Sequence, residues 1–342
     1  MATTKSQPTS ARKSLWHHQG PVVFSPLFDW PTRLWAGFSV LTRRWLTVSR
    51  NTLFLLIAIA AYHFLLPPMS EMATLSAQWI VPLFIRNVAL MLLVAGGLHV
   101  YLFVIRGQGK QTKFDPREDM EKSKKFTFGG QVRDNMFWCI ASGVTIWSMY
   151  EVLYLWGAAN LMIPMLDFSS HPVVFFACFL VWLLVIPLWT STHFYFIHRL
   201  LHWPPLFHSV HKLHHRNIHI GPWSGMSMHP VEHLIYVSSV LVHFVIPSHP
   251  VIMLTHLYLR TLTPAFSHAG FQQLVVKDKI VTEAADFHHQ LHHKYFECNY
   301  GNVDVPWDRW FGSVHDGSDA GTTLVQERRR RMYRNRKAML AD

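Results

Sequence analysis

Residues 172–202 read PVVFFACFLVWLLVIPLWTSTHFYFIHRLLH. The run is apolar for long enough to cross a bilayer, which takes about 20 residues. It then continues without a break until Pro204-Pro205 supplies a stop. A helix over the whole stretch would be about 46 Å long, against a hydrocarbon core of about 30 Å. Its last turns must therefore leave the membrane, and Pro187 is placed to kink it. The emerging end carries His198 and His202, one helical turn apart on a single face.

Three further apolar stretches, approximately 52–68, 87–105 and 135–156, are long enough to span. Lys and Arg orient them. Residues 1–51 hold Lys5, Arg12, Lys13, Arg33, Arg43, Arg44 and Arg50 against the single acid Asp29, and the loop 106–134 is also strongly basic. The loops 69–85 and 157–171 contain neither Lys nor Arg. Both termini and the middle loop are thus expected on the cytoplasmic side, with everything after the fourth span. A fifth apolar region, 234–262, is broken by Pro247-Ser248-His249-Pro250, which predicts a re-entrant or interfacial hairpin. Arg86 and Glu151 are ionisable residues in or at the edge of spans. The expected fold is all-α and multi-pass, with about four transmembrane helices and a helical histidine region on the cytoplasmic face. Its expected divisions are a basic segment 1–51, spans over 52–192, the histidine region 193–316 and a basic tail 317–342.

Composition agrees. Of 342 residues, 50% are hydrophobic and only 15% charged, whereas soluble domains carry about 25% charged residues. The net charge of +11 sits beside spans and in the tail (Arg328–Arg331, Arg334, Arg336, Lys337). That distribution fits anionic lipid and the positive-inside bias, not nucleic acid. Nothing at the N-terminus resembles a secretory signal. The cysteines Cys139, Cys178 and Cys298 read as small buried hydrophobes.

The chemistry lies in the histidines. There are 24, of which 18 fall between His193 and His293. Besides the His198/His202 pair, His211-Lys212-Leu213-His214-His215 and His289-Gln290-Leu291-His292-His293 repeat one spacing. On a helix this spacing brings three imidazoles to one face. Burying so many imidazoles without partners would be costly, and neutral imidazole is a common metal ligand. Eight such ligands imply a dinuclear centre, with His268, His229 and His233 as further candidates. His288, one turn before His292, is another. His193, His208 and His219 read as neighbours of the site, and His243, His249 and His256 as packing or interfacial residues. No cysteine lies in the clusters, and imidazole alone does not choose among Zn, Cu, Fe and Ni.

At these residues the chain resembles the membrane fatty acid hydroxylase/sterol desaturase superfamily, whose signature is HxxxH, HxxHH and a second HxxHH behind about four spans. Residues 194–202, 208–215 and 287–293 resemble its three boxes. The following Asn299-Tyr300-Gly301 and Trp307-Asp308-Arg309-Trp310-Phe311-Gly312 are nearest to the C5-sterol-desaturase (lathosterol oxidase) branch. Residues around His229 and His268 resemble positions where members carry extra histidines. One departure is Ser191, where many members have an acid. The resemblance implies a non-haem diiron centre that activates O2 with electrons from a separate donor, such as cytochrome b5 or ferredoxin with its reductase. The implied reaction is hydroxylation or desaturation of a lipid, with a sterol favoured and a fatty acyl or sphingoid lipid next. The implied location is an endoplasmic reticulum or bacterial inner membrane. Nearby carboxylates, Glu232, Glu283, Asp286 and Asp304, are candidates to orient ligands.

Two rival readings use other residues. His229-Pro230-Val231-Glu232-His233 fits the H-x-x-E-H pattern of a membrane zinc hydrolase, with Glu232 as general base. It leaves the repeated boxes idle. A metal transporter would place its ligands at mid-membrane, whereas here the boxes follow the spans.

Overall fold

The computed structural model describes residues 21–31, 33–47, 49–115, 122–167 and 171–339. Lys5, Arg12, Lys13, His17 and His18 lie outside them. The described chain is mostly helical. Helices α1 (Leu34–Leu46) and α2 (Arg50–Leu65) form a pair bent by 41°. Helices α3 (Ala77–Val104), α4 (Gln131–Ala159) and α5 (Pro172–Leu201) are each long and apolar enough to cross a membrane. The molecule is an all-α multi-pass membrane protein with three spans, or four if the bent pair counts as one.

Helix α3 begins well before the apolar run predicted from residue 87, because Ser76 caps it: its Oγ accepts from the Gln78 amide at 3.2 Å. The ionisable residues of the spans find each other. Arg86 of α3 pairs with Glu151 of α4, and Asn87 Nδ2 donates to Glu151 Oε2 at 2.9 Å and to Ser148 Oγ at 3.0 Å. All four are buried, and mutual pairing is what makes such burial tolerable. Helix α5 runs unbroken across residues 192 and 193, so the expected division there falls inside one element.

The predicted hairpin lies inside the bundle. Helix α6 (Pro230–Val237) passes into a 3-10 stretch, Ser238–Phe244, and α7 (Pro250–Ser267) returns. The corner between them meets the loop joining α4 to α5: the Leu166 amide donates to Ser248 O at 3.3 Å, and Trp182 Nε1 to Pro247 O at 2.9 Å. Helix α7 is longer than the half-hairpin predicted. It continues through Pro264, which has no N–H to offer Arg260 O. The Tyr236 hydroxyl of α6 donates to that oxygen instead, at 3.0 Å. Packing there is close: a Cβ on Gly225 would stand 2.2 Å from Pro264 O.

Beyond α7, strands β1 (Gln273–Val276) and β2 (Lys279–Glu283) pair antiparallel. Their turn uses Lys277 and Asp278 at φ of 49° and 59°. Helix α8 (Phe287–Tyr295) follows, capped by Asp286, whose Oδ1 accepts from the His288 amide at 2.9 Å. Helix α9 (Asp319–Met339) closes the described chain.

Candidate metal centre

Four elements bring the histidines together at one end of the spans. The end of α5 supplies His198 and His202, and the 3-10 turn His211–Arg216 supplies His211, His214 and His215. His268 caps α7, and α8 supplies His289, His292 and His293. Their ring nitrogens form two groups, each gathered within 4.8 Å: His198, His202, His211, His215 and His292 in one, and His214, His268, His289 and His293 in the other.

The spacing within the groups is tight. In the first, Nε2 atoms stand 3.1 Å apart for His198/His211, His202/His215 and His215/His292, and 3.2 Å for His202/His292. In the second, His268 Nε2 lies 3.1 Å from both His293 and His289, which are 3.2 Å from each other. Hydrogen bonding does not account for the His268/His293 approach. A backbone carbonyl only accepts, so it fixes the proton on the nitrogen facing it. Nδ1 of His198 donates to Tyr300 O at 2.6 Å, His292 to Cys298 O at 2.6 Å and His293 to Asn217 O at 3.1 Å. His268 donates to Pro264 O at 3.0 Å, and His214 to Ser227 O at 3.3 Å. The Nε2 atoms of His268 and His293, for example, therefore face each other as bare lone pairs. Two nitrogens bound at right angles to one ion at ~2.1 Å would be about 3 Å apart. The residues fit a transition-metal ion in each group.

Burial keeps the ligands uncharged, with their ring lone pairs free of protons. It pushes His211 down to about 3 and His214 to about 4. His202, His215, His268, His289, His292 and His293 are driven well below the usual imidazole range by burial, then by neighbouring imidazoles. Glu232 Oε1 lies 2.7 Å from His211 Nδ1, and burial raises this carboxyl to about 8. Aromatic rings wall the site: Phe194 stacks on His198 at 4.8 Å, and Phe296 sits 4.8 Å from His215.

The two repeated boxes do not each converge on one point, as an α-helical face would suggest. Each box divides. His211 and His215 join the first group and His214 the second, whereas His292 joins the first and His289 and His293 the second. The middle box is a 3-10 turn rather than an α-helix, yet His211 and His214 stack 5.6 Å apart, as His289 and His292 do in α8.

The structure leaves His229 and His233 outside both groups. His229 Nδ1 accepts from the Val231 amide at 3.2 Å and so caps α6. His233 Nδ1 lies 2.8 Å from Ser142 Oγ in a π-turn of α4. His288 packs edge-on against Phe24, also outside the groups. Among the four carboxylates singled out, Glu232 alone reaches a grouped histidine; Asp286 caps α8, Asp304 pairs with Arg44, and Glu283 is exposed on β2. Asn302 Nδ2 donates to Ser191 Oγ at 2.9 Å, so an amide contact stands where many superfamily members have an acid.

Several supporting groups escape the sequence reading. Asp308 accepts from the amides of Tyr300 at 2.9 Å and Gly301 at 2.7 Å, and so fixes the carbonyl that His198 uses. Asn217 Oδ1 accepts from Gln131 and Asn135 of α4, both at 2.9 Å, while its backbone oxygen serves His293. Phe296 and Asn299 adopt φ of 67° and 54°, which turns Cys298 O back towards His292. Asp308 lies in the WDRWFG stretch; the carbonyls carry no signal in side-chain identity.

Fold and donor set define the class: a membrane protein with nine imidazoles, eight of them buried, in two groups that could each hold a metal ion at one end of its spans. Residues 182–313 match the family model described as Fatty acid hydroxylase. The Delta(7)-sterol 5(6)-desaturase of Saccharomyces cerevisiae is 31% identical over 134 residues, 38% of this chain and 35% of the yeast protein. That of Eremothecium gossypii is 31% identical over 132 residues, covering 38% and 36%. One from Gibberella zeae is 35% identical over 129 residues, covering 35% and 37%. The chain thus matches little more than a third of the length of these relatives. No solved structure matches it. In the histidine-box region the similarity is to the fatty acid hydroxylase/sterol desaturase superfamily, and these relatives are sterol desaturases.

Proposed function

We propose that the chain is an O2-dependent, non-haem diiron lipid oxidoreductase, a hydroxylase or desaturase, with a sterol as substrate. The observation that carries this is the pair of imidazole groups, in which carbonyls hold the protons of five rings outward and their lone pairs inward. His198, His202, His211, His215 and His292 would hold one iron, and His214, His268, His289 and His293 the other. Iron bound there supplies the activation of dioxygen and the oxidation of an unactivated C–H bond, with electrons from a separate donor. The chain's own residues do the rest. Carbonyls of Asn217, Ser227, Pro264, Cys298 and Tyr300 keep five Nε2 atoms unprotonated and aimed inward. Phe194, Phe207 and Phe296 exclude water beside them. Helix α5 joins the bilayer directly to the centre, so a lipid reaches it without crossing water. The positive-inside bias of the basic loops supports a centre on the cytoplasmic side. Sterol is favoured over fatty acyl and sphingoid lipids by the relatives' names.

The test is metal analysis of protein purified after expression with iron available, followed by incubation with a Δ7-sterol, oxygen and an electron-donor system (cytochrome b5 or ferredoxin with its reductase). About two irons per chain and strictly oxygen-dependent conversion are expected. A single zinc that survives iron reconstitution, with turnover in the absence of oxygen, would instead support a hydrolase.

A further inference from the structure

Arg260 lies on α7, 3% exposed, and no carboxylate forms an ion pair with it among the described residues. Its Nε donates to Tyr236 O at 2.8 Å, and the guanidinium lies 3.5 Å over the Tyr236 ring and 5.4 Å from that of Phe194. Its Nη2 is buried and has no partner. A buried cation without an anion is costly to keep. Phe194 bridges it to the centre, because that ring also stacks on His198 at 4.8 Å.

A second unpartnered atom accompanies it. Ser238 Oγ spends its proton on Ile235 O at 2.7 Å, so in its 3.1 Å contact with His193 Nε2 the serine accepts and the histidine donates. His193 Nδ1 is then a bare acceptor, buried and without a partner. Arg260 and His193 are neighbours: the guanidinium lies 5.4 Å from the ring of Phe194, the next residue after His193, and over Tyr236, two residues before the Ser238 that His193 contacts. On α5, His193 precedes His198 by about 7.5 Å of helix rise, on the membrane side. One buried donor and one buried acceptor thus lie among α5, α6 and α7, just membrane-ward of the metal ligands.

We propose that Arg260 and His193 form a subsite for a hydroxyl group of the lipid, holding the lipid so that a nearby carbon faces the metal centre. A hydroxyl both accepts, here from Arg260 Nη2, and donates, here to His193 Nδ1. A carboxylate accepts only and would leave His193 opposed by a lone pair. The inference rests on the lipid reading above and adds the group by which the lipid is recognised.

The test is equilibrium binding by metal-loaded protein in zwitterionic nanodiscs, without oxygen so that nothing turns over. The probes are a Δ7-sterol with a free 3-hydroxyl and its 3-deoxy counterpart. Wild type is expected to bind the hydroxysterol at least about tenfold more tightly. Arg260→Met and His193→Phe should erase that preference by weakening hydroxysterol binding alone, with metal content unchanged, and Arg260→Lys should recover part of it. Should Arg260→Met fail to fold, His193→Phe carries the comparison. Equal binding of both probes by wild type, binding of neither, or equal loss of both in the variants would overturn the subsite and leave Arg260 as a clasp between α6 and α7. Selective binding without subsequent oxidation once air and an electron-donor system (cytochrome b5 or ferredoxin with its reductase) are supplied would sink the oxidoreductase reading and leave the subsite standing.

Discussion

His292 and His229 both belong to short histidine motifs, yet their surroundings assign them different work. The His292 ring is aimed by the Cys298 carbonyl into a group of five imidazoles, whereas the His229 ring is turned back to cap its own helix. His292→Ala is therefore expected to abolish turnover and lower metal content by elemental analysis. His229→Ala should keep its metal and lose at most the ~1 kcal/mol of a helix cap. The reverse result would move the centre to the H-x-x-E-H segment. Spacing alone showed that the eight box histidines belong together. It did not exclude His229 and His233, because a motif does not record which way a ring is turned by a serine or an amide two residues away. Arg260 had a faint signal, as a lone cation in the apolar stretch 234–262.

Among the elements, the spans and the broken hairpin were readable because bilayer thickness and proline chemistry act directly on composition. The conformation of the middle box was not. An HxxHH spacing suits an α-helix, and only packing against neighbouring elements draws residues 211–216 into a 3-10 turn. The contact between α3 and α4 was legible as two isolated charges, Arg86 and Glu151, but not as a pair 65 residues apart in sequence. Glu151→Ala would strand Arg86 in the interior and is expected to cost about 3–5 kcal/mol in detergent unfolding, whereas Arg86→Met with Glu151→Leu should recover most of it. Equal losses in the single and double variants would show that the charges do not depend on each other.

Across the whole molecule, a polar thread runs through the apolar bundle along the hairpin. His243 Nδ1 lies 3.0 Å from Ser248 Oγ, its Nε2 lies 2.9 Å from His256 Nδ1, and His256 Nε2 lies 2.9 Å from Thr190 Oγ1. Burial lowers His243 to about 3. A histidine depressed in the fold takes up its proton more readily when unfolded. Its contribution is thus complete above about pH 6.5 and fades as the pH falls towards 3. His243→Gln is expected to flatten the fall of the melting temperature between about pH 7.5 and 5 relative to wild type; parallel curves would show that His243 titrates normally. The sequence held the histidines of this thread without their connection, since the contacts join segments that meet only once the hairpin enters the bundle.

The carbonyls that aim His198, His214, His268, His292 and His293 carry a different implication. An ordinary point mutation changes a side chain and leaves the main-chain oxygen in place, so these supports are largely out of reach of single substitutions. Lineages are free to drift at Ser227 or Cys298 while the rings stay aimed, and the centre becomes vulnerable instead to insertions, deletions and prolines that reroute the backbone.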